Sequence, residues 1–422
     1  MRVLHVVDPG SPGGGACTLQ LMAAPLARLT SVRQDVLLVG NGRHERLAER
    51  CGVPVTGRLT APRHQPVMAG FLGGAFRRFV RSREEVFGRY DLVHAWTARS
   101  ALLAAIAAPA RRRVATLTIG PVNGFLMRLL ARAIDSHPTF LLATSVAVKR
   151  DYIAAGVGAR HLDVLRPAVH PEAVEDGSDD RDHVRRRWGV DERSFVIGLL
   201  CEPVSWSDAR RAAVVLSLAA EAGRDVRLVV HPAAQRRVEA VRWLMRIGHA
   251  HRLIVDEQLA EPWRCVHGLD AALILGDDTT TLDVSEGGSP FSLLFGGGRA
   301  LRPMPGVMPA LWAMATGVPV IAERSLAMQE VIDHDHTGLL VDQRDINAAA
   351  SCVVRLFDDP GAGSRLGQAA RASIHRAHHV SAYCVQLKEV YERVIAGRVA
   401  AVVQEGGEAV IEQRRSGADL RG

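Results

Sequence analysis

Three consecutive glycines, Gly13, Gly14 and Gly15, follow the apolar run MRVLHVV and lead into CTLQLMAAPLARLT, a stretch with helical spacing. Glycines between a strand and a helix let backbone N–H groups come close to a phosphate or sugar, and the helix N-terminus favours negative charge. The alternative is a tight turn that binds nothing. GGGRALRPMPG, residues 296–306, offers a second anion-binding chemistry, because the planar forks of Arg299 and Arg302 suit a diphosphate. As a plain surface excursion the same segment would merely be solvated. His94 lies in DLVHAW, near the end of a short apolar run, where it either reaches a cleft as a proton carrier or is a satisfied core histidine. Strand alternation turns His94 and Trp96 to the same side. DHDHTG, residues 333–338, alternates His and Asp, a pattern that on residue type alone invites a metal reading.

The elements that must position these residues are short apolar strands alternating with longer helical stretches. MRVLHVV, QDVLLVG, DLVHAW, RVATLTI and TFLLATS read as strands, separated by stretches such as SALLAAIAAPARR. That rhythm implies βαβ units and a parallel sheet buried on both faces. HPEAVEDGSDDRDHVRRRWGV interrupts it around residues 171–190, as a linker and docking helix. The rhythm restarts with SFVIGLL, DVRLVVH, HRLIVD, DAALILG, GVPVIAE and TGLLVDQ. The expected layout is an N-terminal α/β domain over 1–170, a second over 191–375, a helix over 376–398 crossing back to the first, and a loose tail over 399–422. Two such sheets leave a cleft at the carboxyl ends of their strands, where ligands usually sit.

Composition narrows the classes. At 422 residues, with 48% hydrophobic and 23% charged residues, the chain suits two ordinary globular domains. Its net charge of +7 is carried almost wholly by Arg, since Lys149 and Lys388 are the only lysines, and aromatics reach only 5%, so no nucleic-acid partner is expected. The six cysteines form no C-x-x-C pair, which fits a reducing cytoplasm. No run approaches the ~18 apolar residues of a membrane span, and the opening run is too short for a secretory signal. GAFRRFVRSREEVF, residues 74–87, gathers Phe76, Phe79, Val80 and Phe87 near one helical face among Arg77, Arg78 and Arg81. Such a helix either packs on its own sheet or rests peripherally on an anionic membrane face.

Several segments together resemble family 4 glycosyltransferases, which have the GT-B fold of two Rossmann-like domains facing each other across a cleft. PGSPGGGACTLQLMAAPLARL looks like the family's Gly-rich first loop and helix. DLVHAW resembles the strand ending at the catalytic histidine, and TSVAVKRDYIAAGV and LDVLRPAVHPEAV resemble the last elements of the first domain. Most specific is PALWAMATGVPVIAERSLAMQEVIDHDHTGLLV, which is similar to the family's helix, Gly-Val-Pro-Val strand, Glu-containing turn and Gly-Leu-Leu-Val strand. The likeness runs to about residue 397. It implies a nucleotide-sugar donor held by the second domain, a glycan or lipid-linked acceptor at the first, retention of anomeric configuration and no catalytic metal or other cofactor.

The chain departs from the pattern where the family does its chemistry. The family's pair of glutamates, the second of which grips the nucleotide ribose, falls on Met304 and Trp312. Its Arg and Lys beside the donor diphosphate fall on Glu202 and Ser207, and its catalytic histidine on Trp96, two residues beyond His94. Trp312 in the ribose place either stacks on a ligand or plugs an empty pocket. Glu330, in the Glu-containing turn, either touches the donor or caps a local turn. The reading that follows is a hexosyltransferase-type glycosyltransferase of the cytoplasm with a degenerate donor site; the alternative is a non-catalytic nucleotide-sugar-binding or scaffold protein derived from one.

Overall fold

The structure is a computed structural model that describes residues 1–7, 15–39, 53–59, 68–107, 112–117, 139–154, 156–172, 180–200, 208–234, 236–260, 262–276 and 307–397. Two parallel sheets organise them. The first contains β1 (Arg2–Val7), β2 (Arg33–Val39), β3 (Val55–Leu59), β4 (Leu92–Ala95), β5 (Arg113–Leu117), β6 (Thr139–Ala143) and β7 (Leu162–Val164). They are arranged in the order β3-β2-β1-β4-β5-β6-β7. Its helices are α1 (Gly15–Thr30), α2 (Met68–Phe87), α3 (Ala98–Ala107) and α4 (Val146–Ala154).

After α5 (Arg181–Trp188) comes the second sheet: β8 (Phe195–Leu199), β9 (Val226–Val230), β10 (Leu253–Val255), β11 (Ala271–Ile274), β12 (Val320–Glu323) and β13 (Leu339–Val341). Its order is β10-β9-β8-β11-β12-β13. Helices α6 (Ala209–Glu221), α7 (Arg237–Arg246), α8 (Met308–Ala315), α9 (Leu326–Val331), α10 (Ile346–Asp358) and α11 (Pro360–Ala377) belong to it, and α12 (Val380–Ile395) ends the described chain. All named strand pairings are parallel. This is the two-domain α/β arrangement expected from the restarting rhythm.

The central strands are Val-, Leu- and Ile-rich because both of their faces are covered. β4, β5, β6, β11 and β12 are buried along their whole length, as is the edge strand β13. β3, VTGRL, is an edge strand of mixed polarity; Gly57 is required there because a Cβ would collide with the ring of Phe79 on α2. That contact also answers how α2 packs. Phe76 and Val80 are buried against the sheet, and Phe87 is exposed beneath the guanidiniums of Arg2 and Arg83. Phe76, Phe79 and Val80 are therefore spent on the protein's own core rather than on a membrane face.

α5 docks on the second domain. Arg185 donates to Asp270 at 3.0 Å and to the carbonyl of Gly268 at 3.2 Å, while the Trp188 indole donates to Asp256 at 2.7 Å. α12 instead packs beside α1, burying Tyr383, Cys384, Leu387 and Tyr391 in the core of the first domain. Gly317 ends the α8 turn with φ +77°, and Gly367 of α11 lies so close to its carbonyl that a side chain there could not fit. Among the described residues no helix is long and apolar enough to cross a membrane.

Candidate functional site

Each sheet reverses its winding once, between β1 and β4 in the first and between β8 and β11 in the second. The connections from the two neighbouring strands leave in opposite directions at such a point and open a crevice at the strands' carboxyl ends, the place where α/β sheets bind ligands. Both reversal points here carry buried polar groups.

At the first, His5 of β1 lies in register with His94 of β4. Trp96 donates its indole N–H to His5 Nδ1 at 3.0 Å, and His5 Nε2 meets Gln34 Oε1 at 3.0 Å, while Gln34 Nε2 donates to the carbonyl of Ala23 at 2.8 Å. His94 stacks on Trp96 with centroids 4.2 Å apart. Its Nδ1 meets the Tyr391 hydroxyl at 2.6 Å and its Nε2 meets Thr116 Oγ1 at 2.8 Å. The rings of His5, His94 and Trp96 are fully buried. Burial pushes His5 down to about 4, and drives His94 well below the ordinary range with help from neighbouring His5. Both imidazoles are neutral near pH 7. His94, the catalytic candidate, is thus a satisfied core histidine: both ring nitrogens are engaged and it has no exposed edge for a substrate. Trp96 is part of the same buried stack.

At the second reversal point the buried groups are charged. Glu323 ends β12 and accepts from the backbone N–H of Gly276 at 2.6 Å and of Arg344 at 2.7 Å. Arg211, in the first turn of α6, pairs with the same carboxylate and donates to the carbonyl of Gly276 at 2.7 Å. Both side chains are about 95% buried, with exposures of 4% and 5%. One ion pair therefore fixes the ends of β11, β12 and β13 to the start of α6.

The helix N-termini near the cleft are also closed from within. Thr97 and Ser100 cap α3 reciprocally, with Ser100 N–H donating to Thr97 Oγ1 at 3.1 Å and Thr97 N–H to Ser100 Oγ at 3.0 Å. Asp208 accepts from Arg210 N–H at 2.8 Å at the head of α6. α4 is closed by Ser145, which accepts from Val148 N–H at 3.1 Å, and by Glu330 from the other domain. Glu330 accepts from the N–H groups of Val146 at 2.8 Å and Ala147 at 3.3 Å, and lies 3.4 Å from Arg166 Nε. It is neither a local cap nor a free donor ligand, but a carboxylate that bridges the domains.

Trp312 sits on α8, all of whose residues are buried. It is fully enclosed and meets Trp263 edge-to-face at 5.1 Å, and its indole N–H has no acceptor among the described residues. Of the two readings of this residue, the enclosed one describes its position. Gly15 opens α1. Gly13, Gly14, Arg299, Arg302, Met304, Glu202 and Ser207 lie outside the described residues. DHDHTG folds as a turn: His334 Nδ1 accepts from Leu340 N–H at 3.0 Å, and Asp335 pairs with Arg355 at 2.6 Å. A cavity of about 540 Å³ lined by Phe195, Asp270, Pro319 and Phe357 opens at the amino ends of β8, β11 and β12, so it is not the cleft. Sequence reasoning missed Arg211, His5 and Tyr391; only the placement of Arg211 at the head of a helix following the first strand of the second sheet could have suggested it.

Comparison with known proteins gives this geometry a context. Residues 303–359 match the family model described as glycosyl transferases group 1. The GDP-mannose-dependent alpha-(1-6)-phosphatidylinositol monomannoside mannosyltransferase of Mycobacterium tuberculosis is 27% identical over 305 residues, covering 69% of this chain and 73% of the relative. Among solved structures, Anabaena Alr3699/HepE in complex with UDP superposes with a TM-score of 0.70 at 19% identity, covering 93% of this chain and 100% of that one. Sucrose-phosphate synthase from Thermosynechococcus elongatus gives 0.68 at 16% identity, over 94% and 100% of the two chains. The matched segment spans α8, β12, α9, β13 and all of α10, and α8, β12 and α9 carry Trp312, Glu323 and Glu330. With two Rossmann-like domains and this match, the chain has the GT-B fold and is similar, over residues 303–359, to the group 1 glycosyltransferases.

Proposed function

We propose that the protein transfers a sugar from a nucleotide-sugar to a glycan or lipid-linked acceptor, with retention of anomeric configuration. The observation that carries this reading is the buried Arg211–Glu323 pair at the reversal point of the second sheet, which holds three strand ends and a helix start as one rigid rim. A donor site needs such a rim, because transfer is accelerated by groups fixed in place before the diphosphate departs. Arg299, Arg302 and the Gly13–Gly15 loop supply the diphosphate contacts in this proposal, with no catalytic metal. GDP-mannose is the first donor to try, given the mannosyltransferase relative, followed by UDP-glucose. The proposed setting is the cytoplasm, with the acceptor at the inner face of the membrane.

A second reading is favoured by a specific observation. Trp312 is enclosed where the family places its ribose-binding carboxylate, Glu323 is already paired with Arg211, and Glu330 is already held on the N–H groups that open α4. These features suit a non-catalytic nucleotide-sugar-binding protein. Calorimetric titration with GDP-mannose and UDP-glucose, followed by an assay for acceptor-dependent release of nucleoside diphosphate, separates the two. Binding with release supports transfer. Saturable binding without release across an acceptor panel supports the binder, and absence of binding to either donor overturns both.

A further inference from the structure

The chain passes between the domains twice, outward after β7 and back between α11 and α12. These crossings are knitted together by backbone: Val169 N–H donates to His378 O at 2.9 Å, and Val380 N–H donates to Val169 O at 2.9 Å. Buried His378 adds a contact from Nδ1 to the carbonyl of Pro167 at 2.9 Å. On this framework lies a cluster of side chains that neither the proposed chemistry nor the fold requires. Glu172, on the outgoing crossing, holds His170 Nδ1 at 2.9 Å through one oxygen and His379 Nε2 at 3.3 Å through the other. His375, on the last turn of α11, faces His379 with ring centroids 6.1 Å apart. Ligand atoms of Glu172, His375 and His379 all lie within 4.8 Å of one another.

We infer that Glu172, His375 and His379, with His170 at their edge, form a binding site for a Zn²⁺-class divalent ion that ties the outgoing and returning crossings together. Zn–N and Zn–O bonds of about 2.0–2.2 Å set the ligand atoms of a tetrahedral site roughly 3.4 Å apart. The present cluster needs only a modest contraction, made by side chains that are at least partly exposed. Imidazoles with one carboxylate match Zn²⁺, Co²⁺ or Ni²⁺, whereas Mg²⁺ and Ca²⁺ prefer oxygen donors. His379 must change tautomer to take part. Its Nδ1 accepts from Ser381 N–H at 3.2 Å, capping α12, so Nε2 carries the proton given to Glu172. Coordination through Nε2 moves that proton to Nδ1 and releases the cap, which links metal occupancy to the first turn of the helix that packs on α1.

The full-length protein, stripped of metal by a chelator and desalted, is titrated with Co²⁺ as a coloured probe and then with Zn²⁺ in competition. Wild type should show a tetrahedral Co²⁺ absorption that Zn²⁺ abolishes, and Zn²⁺ should raise its melting temperature. His375→Ala and Glu172→Gln should each weaken Zn²⁺ binding by at least the roughly tenfold that loss of even an outer hydrogen-bond partner costs a metal site. His334→Ala, in the other His- and Asp-rich turn, should leave it unchanged. Wild-type affinity in both the His375 and Glu172 variants, or no Co²⁺ absorption in the wild type, would overturn the assignment.

Discussion

The two sheets are wound alike, yet the polar groups at their reversal points are kept in opposite ways. In the first, His5, His94 and Trp96 are buried as neutral partners, each hydrogen-bonded to another side chain. In the second, Arg211 and Glu323 are buried as a charged pair that also engages the backbone groups of Gly276 and Arg344. A neutral network tolerates low dielectric cheaply but fails when it is protonated. A charged pair depends on both of its members being present. The same architectural position therefore carries two different vulnerabilities, one to pH and one to mutation.

The comparison is most exposed to removal of one charge. Glu323→Ala should destabilise the fold by about 3–5 kcal/mol, because it strands a buried guanidinium. Replacing Arg211 and Glu323 together with Met and Leu should cost less than the single change. Equilibrium urea unfolding checks both, and a loss below about 1 kcal/mol for Glu323→Ala would show that the pair is not the anchor of the rim.

Acid should act next, and on the other domain. Unfolded, His5 takes up a proton near its ordinary 6.5; folded, it resists until about 4. Between those values the unfolded state binds more protons, so stability falls as pH falls through this window, by up to about 3 kcal/mol at its lower end for His5 alone. Thermal unfolding from pH 7 to 4 should show this decline, and His5→Gln should flatten it. An unchanged slope in the variant would assign the acid sensitivity elsewhere.

The smallest effect is expected from Trp312→Phe. Trp312→Phe removes an indole N–H that has no acceptor among the described residues, which offsets part of the volume lost, so the change should fall within about 1 kcal/mol. Trp312→Glu should instead cost several kcal/mol by burying a carboxylate among apolar side chains. A well-folded Trp312→Glu protein would show that the residue borders an accessible pocket after all.

Much of the fold was legible because the central strands are continuous apolar runs. Every strand of the second sheet was marked in this way, as were β1, β2, β4, β5 and β6. β3, VTGRL, was not: its Thr, Gly and Arg suit an edge and hide the strand. β7 is only three residues long and was visible only as part of a familiar segment. The site was less legible, because its chemistry is made by distant partners. His94 could be singled out, but its Tyr391 partner lies 297 positions away. Arg211 and Glu323 are 112 apart, and Glu330 meets Val146 across 184. The hinge cluster joins Glu172 to His379 over 207 positions, a spacing that no local motif encodes.

Glu330 has one more consequence. Held on the N–H groups that open α4, its carboxylate behaves as a tethered counter-ion, supplied by one domain to the other at high effective concentration. An anionic ligand arriving at that helix end must displace an occupant that never diffuses away. Separation of the domains and capture of such a ligand then become a single competition, weakened by added salt to the extent that ions reach the contact.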